Sequence, residues 1–464
     1  MTWSLVFVTT AVALASVLMS PRARSVASFF QGRDEGGQAP GVMALTLSQV
    51  TTWIFARSIM NAAILGYFYG IAGALAYAAY YLSFLTGAWI ISSLRFRHGF
   101  GSVQDFLAAR FGRTGTATYN FVVGVRLLSE VFANLLVIGL IFGAAGTQAY
   151  VISILLVGGV TFGYAALGGL SASIRTDVMQ MGLLLGLLAV LVALAAPDFD
   201  FGGMLMTSPD IASPGWVLLA VALLQVWSYP LHDPVMMDRG FIADRRTTLA
   251  SFYHACWLSF ACILAFGLLG VWAGMEKAQG ETLIPTLTRL LGETPMLAFN
   301  AALIISCMST LDSTFASAAK LSVVDMKLGR ASVANGRLAM ALFLLGGLAM
   351  VFLGSKDLFE AVAVSGTASM FLAPVVFFSL WLGRDDIPLW SYMTAFAAAI
   401  GAAALYFLES SGYTGVVGAV TGLDHKYAKL LALSAAALAA GCAAFLAGMA
   451  GSARSTARPV AGGA

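Results

Sequence analysis

Long apolar runs separated by short polar loops extend over most of the chain, from Trp3 to about residue 450. About 20 consecutive apolar residues are enough for a helix to cross a bilayer. Applied to this chain, that length predicts about thirteen membrane-spanning helices. Their expected bounds are 3–20, 42–69, 71–94, 117–145, 149–167, 171–196, 215–238, 248–274, 294–325, 336–354, 357–382, 387–409 and 427–449. The pattern therefore predicts an all-α membrane protein.

The predicted helix 42–69 is interrupted near its middle by polar residues, between Ser48 and Ser58. The interruption includes Arg57, and an arginine at the centre of a spanning helix costs about 2.5–3.5 kcal/mol on insertion scales. Such a residue therefore needs a compensating role. Broken helices that place free carbonyls and a charge at mid-membrane are the usual construction of a secondary transporter's binding site. We interpret this stretch as half of such a site.

A second interruption lies in the predicted helix 215–238. Pro230 and Pro234 remove helix hydrogen bonds and free carbonyls, and His232 and Asp233 lie between them. The alternative is an ordinary proline kink with its polar residues at the lipid headgroups. Counted without the leading helix, the interrupted helices are the first and the sixth. Interruptions at matching places in two five-helix halves indicate an inverted repeat with its binding site at the repeat interface.

Hydroxyl side chains are dense in the predicted helix 294–325. Four of them share one face at about 3.6 residues per turn, namely Ser306, Ser309, Thr310 and Ser313. This face could simply join packed helices through hydrogen bonds. In the functional interpretation, Ser309 and Thr310 supply hydroxyl oxygens to a monovalent cation, and carbonyls freed near Thr51 and Ile54 complete the shell. Oxygen ligands of this kind suit sodium better than a transition metal.

Composition agrees with a membrane protein and excludes several other classes. Of the 464 residues, 59% are hydrophobic and 10% are charged, whereas a soluble chain carries about 25% charged residues. The net charge of +3 is spread over loops and gives no indication of nucleic-acid binding. The four cysteines lie in apolar runs, which favours buried thiols over disulfides or metal ligands. We find no Walker A pattern, nucleophile–base pair or metal cluster, so neither an ATP-driven pump nor an enzyme is expected.

Basic residues alternate between the loops, and this alternation predicts the orientation in the membrane. One set of loops carries most of them: Arg22, Arg24, Arg33, Arg95, Arg97, Arg110, Arg113, Arg175, Arg239, Arg245, Arg246, Lys327, Arg330, Arg337, Arg384, Arg454 and Arg458. The positive-inside rule then places the N-terminus outside and the C-terminus in the cytoplasm of a bacterial-type cytoplasmic (inner) membrane. The segment 3–20 has basic residues only after it, the reverse of a cleavable signal, so we expect a retained helix.

Two loops are predicted to contain short helices. Residues 101–112 suit a helix lying at the cytoplasmic interface. Residues 284–291 are amphipathic and expected to be external, where they would form either a lid over the outer vestibule or a solvated connecting helix.

Three stretches together resemble the sodium:solute symporter family, whose members have a five-plus-five inverted-repeat, LeuT-like fold. They are Thr51-Thr52-Trp53-Ile54, then Gly168-Gly169-Leu170 followed by Arg175-Thr176-Asp177-Val178-Met179-Gln180, and Met308-Ser309-Thr310-Leu311-Asp312-Ser313 with Asp325. A weaker fourth match runs from Pro234 to Arg239. The resemblance covers about residues 5 to 450 and is closest to the proline-symporter-type branch. It implies one extra N-terminal helix and two extra C-terminal helices around the core.

The resemblance also implies a division of the chain and a set of ligands. The expected parts are 1–40 (leading helix and loop), 41–200 and 201–382 (the two repeats), 383–450 (two peripheral helices) and 451–464 (a disordered tail). By resemblance, sodium is held by backbone oxygens of Thr51, Ile54 and Ser306 and by the hydroxyls of Ser309 and Thr310, with Asp177 on the exit path or at a second sodium site. The residues expected around the substrate are Trp53, Phe55, Arg57, Ser58, Asn134, Trp227 and Tyr229, with Tyr229 as an inner gate. Possible gate or coupling residues are His232, Asp233 and Asp312.

Departures from the family narrow the substrate. The sugar branch has an acidic residue at the position of Arg57, which argues against a sugar here. A guanidinium is suited to a bidentate carboxylate, so one hypothesis is that Arg57 binds the substrate's anionic group. The alternative is that Arg57 pairs with Glu130 or Asp233 and never touches substrate. Arg126 and Glu130, four residues apart, are expected to form an intrahelical pair.

The sequence thus predicts a sodium-coupled secondary active symporter that imports a small organic solute, such as an amino acid or organic acid, by alternating access. Sodium is the expected coupling ion, and no organic cofactor is expected. The expected partners are the small-molecule solute and the lipid bilayer, with no nucleic acid and no obligatory protein partner. Two alternatives remain. One is proton coupling with Asp177 or His232 as carrier. The other is a transporter-like solute sensor, although such chains usually continue into a cytoplasmic kinase module.

Overall fold

The computed structural model describes residues 2–34, 36–353 and 365–456. The first ten helices are α1 (Thr2–Met19), α2 (Val26–Gln31), α3 (Val42–Trp53), α4 (Ala56–Ala79), α5 (Ser83–Ile91), α6 (Val103–Phe142), α7 (Gln148–Gly168), α8 (Leu170–Ala195), α9 (Phe201–Leu205) and α10 (Pro214–Gln225). The others are α11 (Tyr229–His232), α12 (Pro234–Gly240), α13 (Arg245–Met275), α14 (Leu283–Leu291), α15 (Glu293–Lys320), α16 (Val333–Leu353), α17 (Ser365–Trp381), α18 (Leu389–Ser410), α19 (Val416–Thr421) and α20 (Lys426–Thr456). Short 3₁₀ and π turns extend several of them.

These helices match the predicted membrane crossings. Among the described residues, nine helical stretches are long and apolar enough to cross a membrane, and three shorter apolar helices accompany them. One of the nine, Ala56–Arg97, leaves helical geometry at Tyr69 and Gly70 and therefore supplies two crossings. With that stretch counted twice, the described crossings agree with the predicted number, and the all-α fold class is confirmed.

Glycines on α13 allow this helix to lie directly against α4. A Cβ atom at Gly270 would collide with the carbonyl oxygen of Ala63, and one at Gly274 would collide with that of Tyr67. A Cβ at Gly66 on α4 would in turn collide with the carbonyl oxygen of Gly267. Small residues are the usual means of close helix approach in membranes, because apolar side chains gain little over lipid tails. The pair α4–α13 thereby fixes one side of the core.

The other side of the core is formed around α3. This half-helix packs against α8, α13 and α15, and α12 packs against both α3 and α15. The two discontinuous segments, α3–α4 and α10–α11–α12, therefore meet neighbouring crossings in the interior. The predicted boundaries of the two repeats, 41–200 and 201–382, stay a prediction.

At the C-terminal end, α18 and α20 pack against each other and α20 packs on α10. The start of the predicted helix 357–382 lies outside the described residues, and α17 is described from Ser365. Helix α20 continues to Thr456, seven residues beyond the predicted end at 449. The remaining part of the predicted disordered tail, 457–464, lies outside the described residues.

The two predicted loop helices are present. The first begins at Val103 and ends at Gly112, whose φ of 65° lies in the left-handed region that glycine adopts without strain. The second is α14, which is held by Glu281 in the preceding loop. The Glu281 carboxylate accepts hydrogen bonds of 3.0 and 2.8 Å from Arg289 and one of 3.0 Å from the amide of Ala278. These donors lower the pKa of Glu281 from 4.5 to about 2.

Candidate functional site

The first interrupted helix is broken where the sequence predicted. Helix α3 ends at Trp53 and α4 begins at Ala56, while Ile54 (ψ 64°) and Phe55 (ψ 159°) leave helical geometry. The last carbonyls of a helix have no intrahelical partner, so a break inside the protein exposes acceptors to side chains of other helices. The carbonyl oxygen of Trp53, for example, accepts a 2.7 Å hydrogen bond from the hydroxyl of Tyr81.

The hydroxyl-bearing face of α15 lies directly against this break. Ser306 Oγ donates to the carbonyl oxygen of Ile54, and Thr310 Oγ1 donates to that of Thr52 over 3.3 Å. All four residues are at most 3% exposed. The two stretches that the sequence assigned to one cation site, more than 250 residues apart in the chain, are therefore neighbours.

The chemistry of this set of atoms fits sodium. The candidate ligands are neutral carbonyl and hydroxyl oxygens, which hard cations prefer over sulfur and nitrogen. Thr51 Oγ1, beside them, is buried and has no hydrogen-bond partner among the described residues. A buried hydroxyl without a partner costs free energy that a bound ion or water would recover. The ligand assignment itself, Thr51, Ile54, Ser306, Ser309 and Thr310, stays a prediction.

Asp177 lies next to this set but is engaged elsewhere. Ser309 Oγ donates to its Oδ1 over 2.7 Å, and Ser48 Oγ donates to its Oδ2 over 2.6 Å. Its Oδ2 also forms a 3.2 Å ion pair with Arg239, and both side chains are fully buried. Asp177, which was predicted to lie on the exit path or at a second sodium site, thus already has a cationic partner in this conformation.

The position of Arg239 differs from the prediction. Its place in the sequence suggested a loop arginine that sets the orientation, yet it lies at the end of α12 in the interior, 0% exposed. Its guanidinium also donates to Ser48 over 2.8 Å and to Ser313 over 2.7 Å. A count of basic residues near the ends of apolar runs cannot separate an exposed loop arginine from one that turns inward onto a carboxylate of another helix.

The second interruption is also a genuine break. Asp233 has extended backbone geometry between α11 and α12 and caps α12 by accepting a 3.0 Å hydrogen bond from the amide of Met236. His232 and Asp233 are only 1% and 4% exposed, so both side chains are buried among the helices. Nearby, the hydroxyl of Tyr119 donates to the carbonyl oxygen of Leu231 over 2.7 Å. The helix is therefore broken rather than only bent at this point, while the depth of its polar residues in the membrane stays a prediction.

A small central cavity of about 20 Å³ lies between the two breaks. Its lining residues are Trp53, Phe55, Ser58, Tyr77, Tyr80, Tyr81, Arg126 and Tyr229. Roughly 10–15 Å³ is needed for one water molecule, so the cavity has room for about one water in this conformation. Four of these eight residues were predicted to contact substrate.

Sequence reasoning missed the three tyrosines on the cavity wall. Tyr77, Tyr80 and Tyr81 lie close together within an apolar run. Aromatic residues in such a run are equally typical of a packed core, so the sequence does not mark them as cavity residues. Tyr229, which was predicted as a gate, contacts the ring of Trp53 edge to face at 5.5 Å and that of Tyr80 at 6.2 Å. The cavity is therefore framed mostly by aromatic rings contributed by both broken helices and by the turn that leads into α5.

A chain of alternating charges runs beside this cavity. Arg57 Nη2 lies 2.7 Å from Glu130 Oε1, the same oxygen pairs with Arg126, and Arg126 Nη2 lies 3.2 Å from Asp233 Oδ2. All four side chains are at most 6% exposed. The intrahelical Arg126–Glu130 pair is confirmed, and Arg57 also pairs with Glu130, while a contact between Arg57 and substrate stays a prediction.

This network is not fully hydrogen bonded. Among the described residues, three of its buried polar atoms have no hydrogen-bond partner, namely Arg57 Nε, Arg126 Nε and Glu130 Oε2, and the same holds for Oδ1 of the adjacent Asn134. Asn134, predicted to contact substrate, donates to the carbonyl oxygen of Glu130 over 2.9 Å. Unsatisfied buried atoms next to a cavity are what a polar ligand would pair with.

Three remaining predicted residues lie away from the cavity. Trp227 packs against Trp89 at 6.2 Å and Trp381 at 6.1 Å and does not line it. His232 bonds Ser365 over 2.9 Å. Asp312 is fully buried beside the serines that surround Asp177 and accepts a 2.9 Å hydrogen bond from Thr176.

No protein-family model and no curated protein matches the chain, but solved structures do. A Na⁺-coupled sialic acid symporter in a substrate-bound outward-open state aligns with a TM-score of 0.73 and 17% identity, over 96% of this chain and 97% of that one. A nucleobase-cation-symport-1 family transporter, closed with bromovinylhydantoin bound, aligns with a TM-score of 0.57 and 16% identity, over 94% and 95%. The chain therefore has the LeuT-like fold, while membership of the sodium:solute symporter family stays a prediction.

Proposed function

We propose that this chain is a sodium-coupled secondary active symporter that imports a small carboxylate-bearing solute, such as an amino acid or organic acid, by alternating access. One observation carries the proposal: the break between α3 and α4 contacts the hydroxyl face of α15 through the Ser306–Ile54 and Thr310–Thr52 hydrogen bonds. A similar fold belongs to a Na⁺-coupled sialic acid symporter, which supports coupling to sodium here.

The sodium part rests on charge as well as on ligand type. Thr51, Ile54 and Ser306 would contribute backbone oxygens, and Ser309 and Thr310 would contribute hydroxyl oxygens. Asp177, one hydrogen bond from Ser309, already has its charge balanced by Arg239. The ligand set is therefore neutral, so a bound monovalent cation adds one positive charge to the core and an anionic solute compensates it.

The substrate part rests on the charged chain beside the cavity. Arg57 and Arg126 share a single carboxylate oxygen of Glu130. A solute carboxylate that paired with the guanidinium of Arg57 or Arg126 would offer it two oxygens in the planar geometry that arginine matches best. It would also supply a partner for Arg57 Nε, which is buried without one among the described residues. A small carboxylate is therefore the solute class that this site favours.

Alternating access is the transport mode expected of two breaks that close on one cavity. In the proposed cycle sodium binds first and orders the break beside Arg57, solute enters between the aromatic rings, and the core rotates to open the opposite side. A membrane potential contributes about 2.3 kcal/mol per charge per 100 mV. One sodium with one monoanion cancels this electrical contribution, so electrogenic uptake of an anion would require a second cation.

The sodium assignment is tested by substitution on α15. Thr310→Ala combined with Ser309→Ala should abolish the sodium-dependent rise in unfolding temperature of the purified protein and sodium-stimulated uptake in proteoliposomes. Thr314→Ala is the matched control, because Thr314 donates to the i−4 carbonyl of the same helix over 2.7 Å, as Thr310 does over 3.0 Å, but has no hydrogen bond to the break within the described residues. Intact sodium stimulation in the double variant would refute the assignment.

The solute class is tested by a thermal-shift screen of small carboxylates, amino acids and neutral urea-like solutes, each with and without sodium. We expect carboxylates to stabilise the protein more in sodium than in potassium. Stabilisation by neutral solutes alone would overturn the proposal that the solute bears a carboxylate. Sodium coupling would still be tested separately, by the α15 variants.

Proton coupling is a second candidate, favoured by one observation. Asp312 is fully buried and forms no ion pair within the described parts of the chain, unlike Asp177. A carboxyl group that lacks a cationic partner gains most from binding a proton. Uptake measured at fixed pH with sodium replaced by choline separates the two candidates, since only proton coupling survives the replacement.

A further inference from the structure

A second cavity, of about 460 Å³, opens where the ends of four crossing helices converge. Helix α1 ends and α3 begins beside it, and α7 ends and α8 begins on its far wall. The cavity shares no lining residue with the small central cavity. Because it lies at helix ends, it faces the level of lipid headgroups on the side predicted to be cytoplasmic.

Four arginines line this cavity: Arg22, Arg24, Arg33 and Arg175. Within the described ranges none of them forms an ion pair. One acidic residue on the described part of the wall, Asp34, is used by its own turn, where Oδ1 accepts a 2.8 Å hydrogen bond from the amide of Gln38. The described walls therefore carry four positive charges and one negative charge.

Hydrogen bonds hold the walls in place, and one of the four arginines, Arg33, takes part in them. Ser171 Oγ, at the start of α8, lies 2.8 Å from the carbonyl oxygen of Ser28 and 2.9 Å from that of Arg33. The guanidinium of Arg33 donates to the carbonyl oxygen of Gly37 over 2.9 Å and closes the loop after α2. Arg22, Arg24 and Arg175 are exposed, so their guanidinium groups remain accessible to a ligand.

We propose that this cavity binds a phosphate-bearing anion, the headgroup of an anionic phospholipid being the source that its position favours. Guanidinium groups pair with phosphate oxygens through two parallel hydrogen bonds. Basic pockets between transmembrane helices on the cytoplasmic side are the usual form of an anionic-lipid site. Bound lipid would tie α1 and α2 to the start of α8, the helix that carries Asp177. The proposal does not depend on the transported solute or on the coupling ion.

The test uses the purified full chain in detergent. Native mass spectrometry would measure retention of phosphatidylglycerol against phosphatidylcholine, and thermal shift would measure stabilisation by phosphatidylglycerol and by soluble glycerol 3-phosphate. The test variant is Arg22→Gln with Arg175→Gln. The matched control is Arg245→Gln with Arg246→Gln, which removes two exposed arginines on the same predicted side that do not line the cavity.

We expect preferential retention of phosphatidylglycerol and a loss of affinity of about tenfold or more in the cavity variant, with little change in the control. Stabilisation by phosphatidylglycerol alone identifies a lipid, whereas equal stabilisation by glycerol 3-phosphate identifies a soluble phosphoanion at the same site. Equal losses in both variants, or equal retention of both lipids, would overturn the proposal. If the double variant does not purify as a folded monodisperse protein, Arg24→Gln provides the same comparison with one charge removed.

Discussion

Ser309 donates a 2.7 Å hydrogen bond to Oδ1 of Asp177, and this bond joins the candidate cation site to a buried ion pair. The other carboxylate oxygen of Asp177 faces Arg239 at 3.2 Å. Three helices, α15, α8 and α12, therefore meet through one carboxylate. A displacement of α15 that rearranges the cation ligands must also change the hydrogen bonds of Asp177.

Arg239→Gln is expected to destabilise the protein by about 3–5 kcal/mol, because removing one partner of a buried pair leaves an uncompensated charge. Asp177→Asn in the same chain should recover most of this loss, since both charges are then gone. Chemical unfolding of the four proteins in a double-mutant cycle measures the coupling. Additive losses would show that the two side chains do not act as a pair.

Arg57→Gln is expected to weaken binding of carboxylate solutes by roughly tenfold to a hundredfold, the range of a lost charge-assisted hydrogen bond. Neutral solutes should bind as before. Glu130→Gln provides the opposite change, because it removes the carboxylate that holds Arg57 and should raise carboxylate affinity. Isothermal titration measures all three proteins, and an unchanged carboxylate affinity in Arg57→Gln would assign Arg57 a purely structural role.

The loop before α14 is expected to loosen in acid. The folded-state pKa of Glu281 is lowered from 4.5 to about 2, so its contribution is fully present above pH 4.5 and is lost as the pH falls towards 2. The hydrogen-exchange protection factors of residues 283–291, which are corrected for the intrinsic pH dependence of amide exchange, should therefore fall between these pH values. Arg289→Gln removes the main donor and should give fast exchange already at neutral pH. Protection factors that stay constant over this pH range in the unsubstituted chain would contradict this account.

Gly270→Ala is expected to destabilise the helix pair α4–α13, since the new methyl group would collide with the carbonyl oxygen of Ala63. Overpacking of a close contact costs about 1–3 kcal/mol. Gly182→Ala on α8 is the control, because a Cβ atom there meets nothing within 4 Å. Thermal unfolding in detergent compares the two, and equal unfolding temperatures would mean that the helices separate at no cost.

Apolar run length and helix-breaking residues are local properties, and the sequence by itself determined the features that depend on them. The thirteen predicted crossings, the break after Trp53 and the break at Asp233 agree with the described helices. The hydroxyl face at Ser306 and Thr310 was also readable, because helical periodicity alone aligns these residues.

Which side chains meet across helices was decided only by the tertiary structure. Arg239 turns inward to Asp177 and Arg57 selects Glu130, because a buried charge takes whichever opposite charge the packing brings within reach. The tyrosines of the central cavity and the accessible arginines of the second cavity likewise depend on how distant segments pack. Hydropathy and residue spacing do not specify contacts between segments that are distant in the sequence. These contacts are determined by how the helices pack, and only the tertiary structure shows that packing.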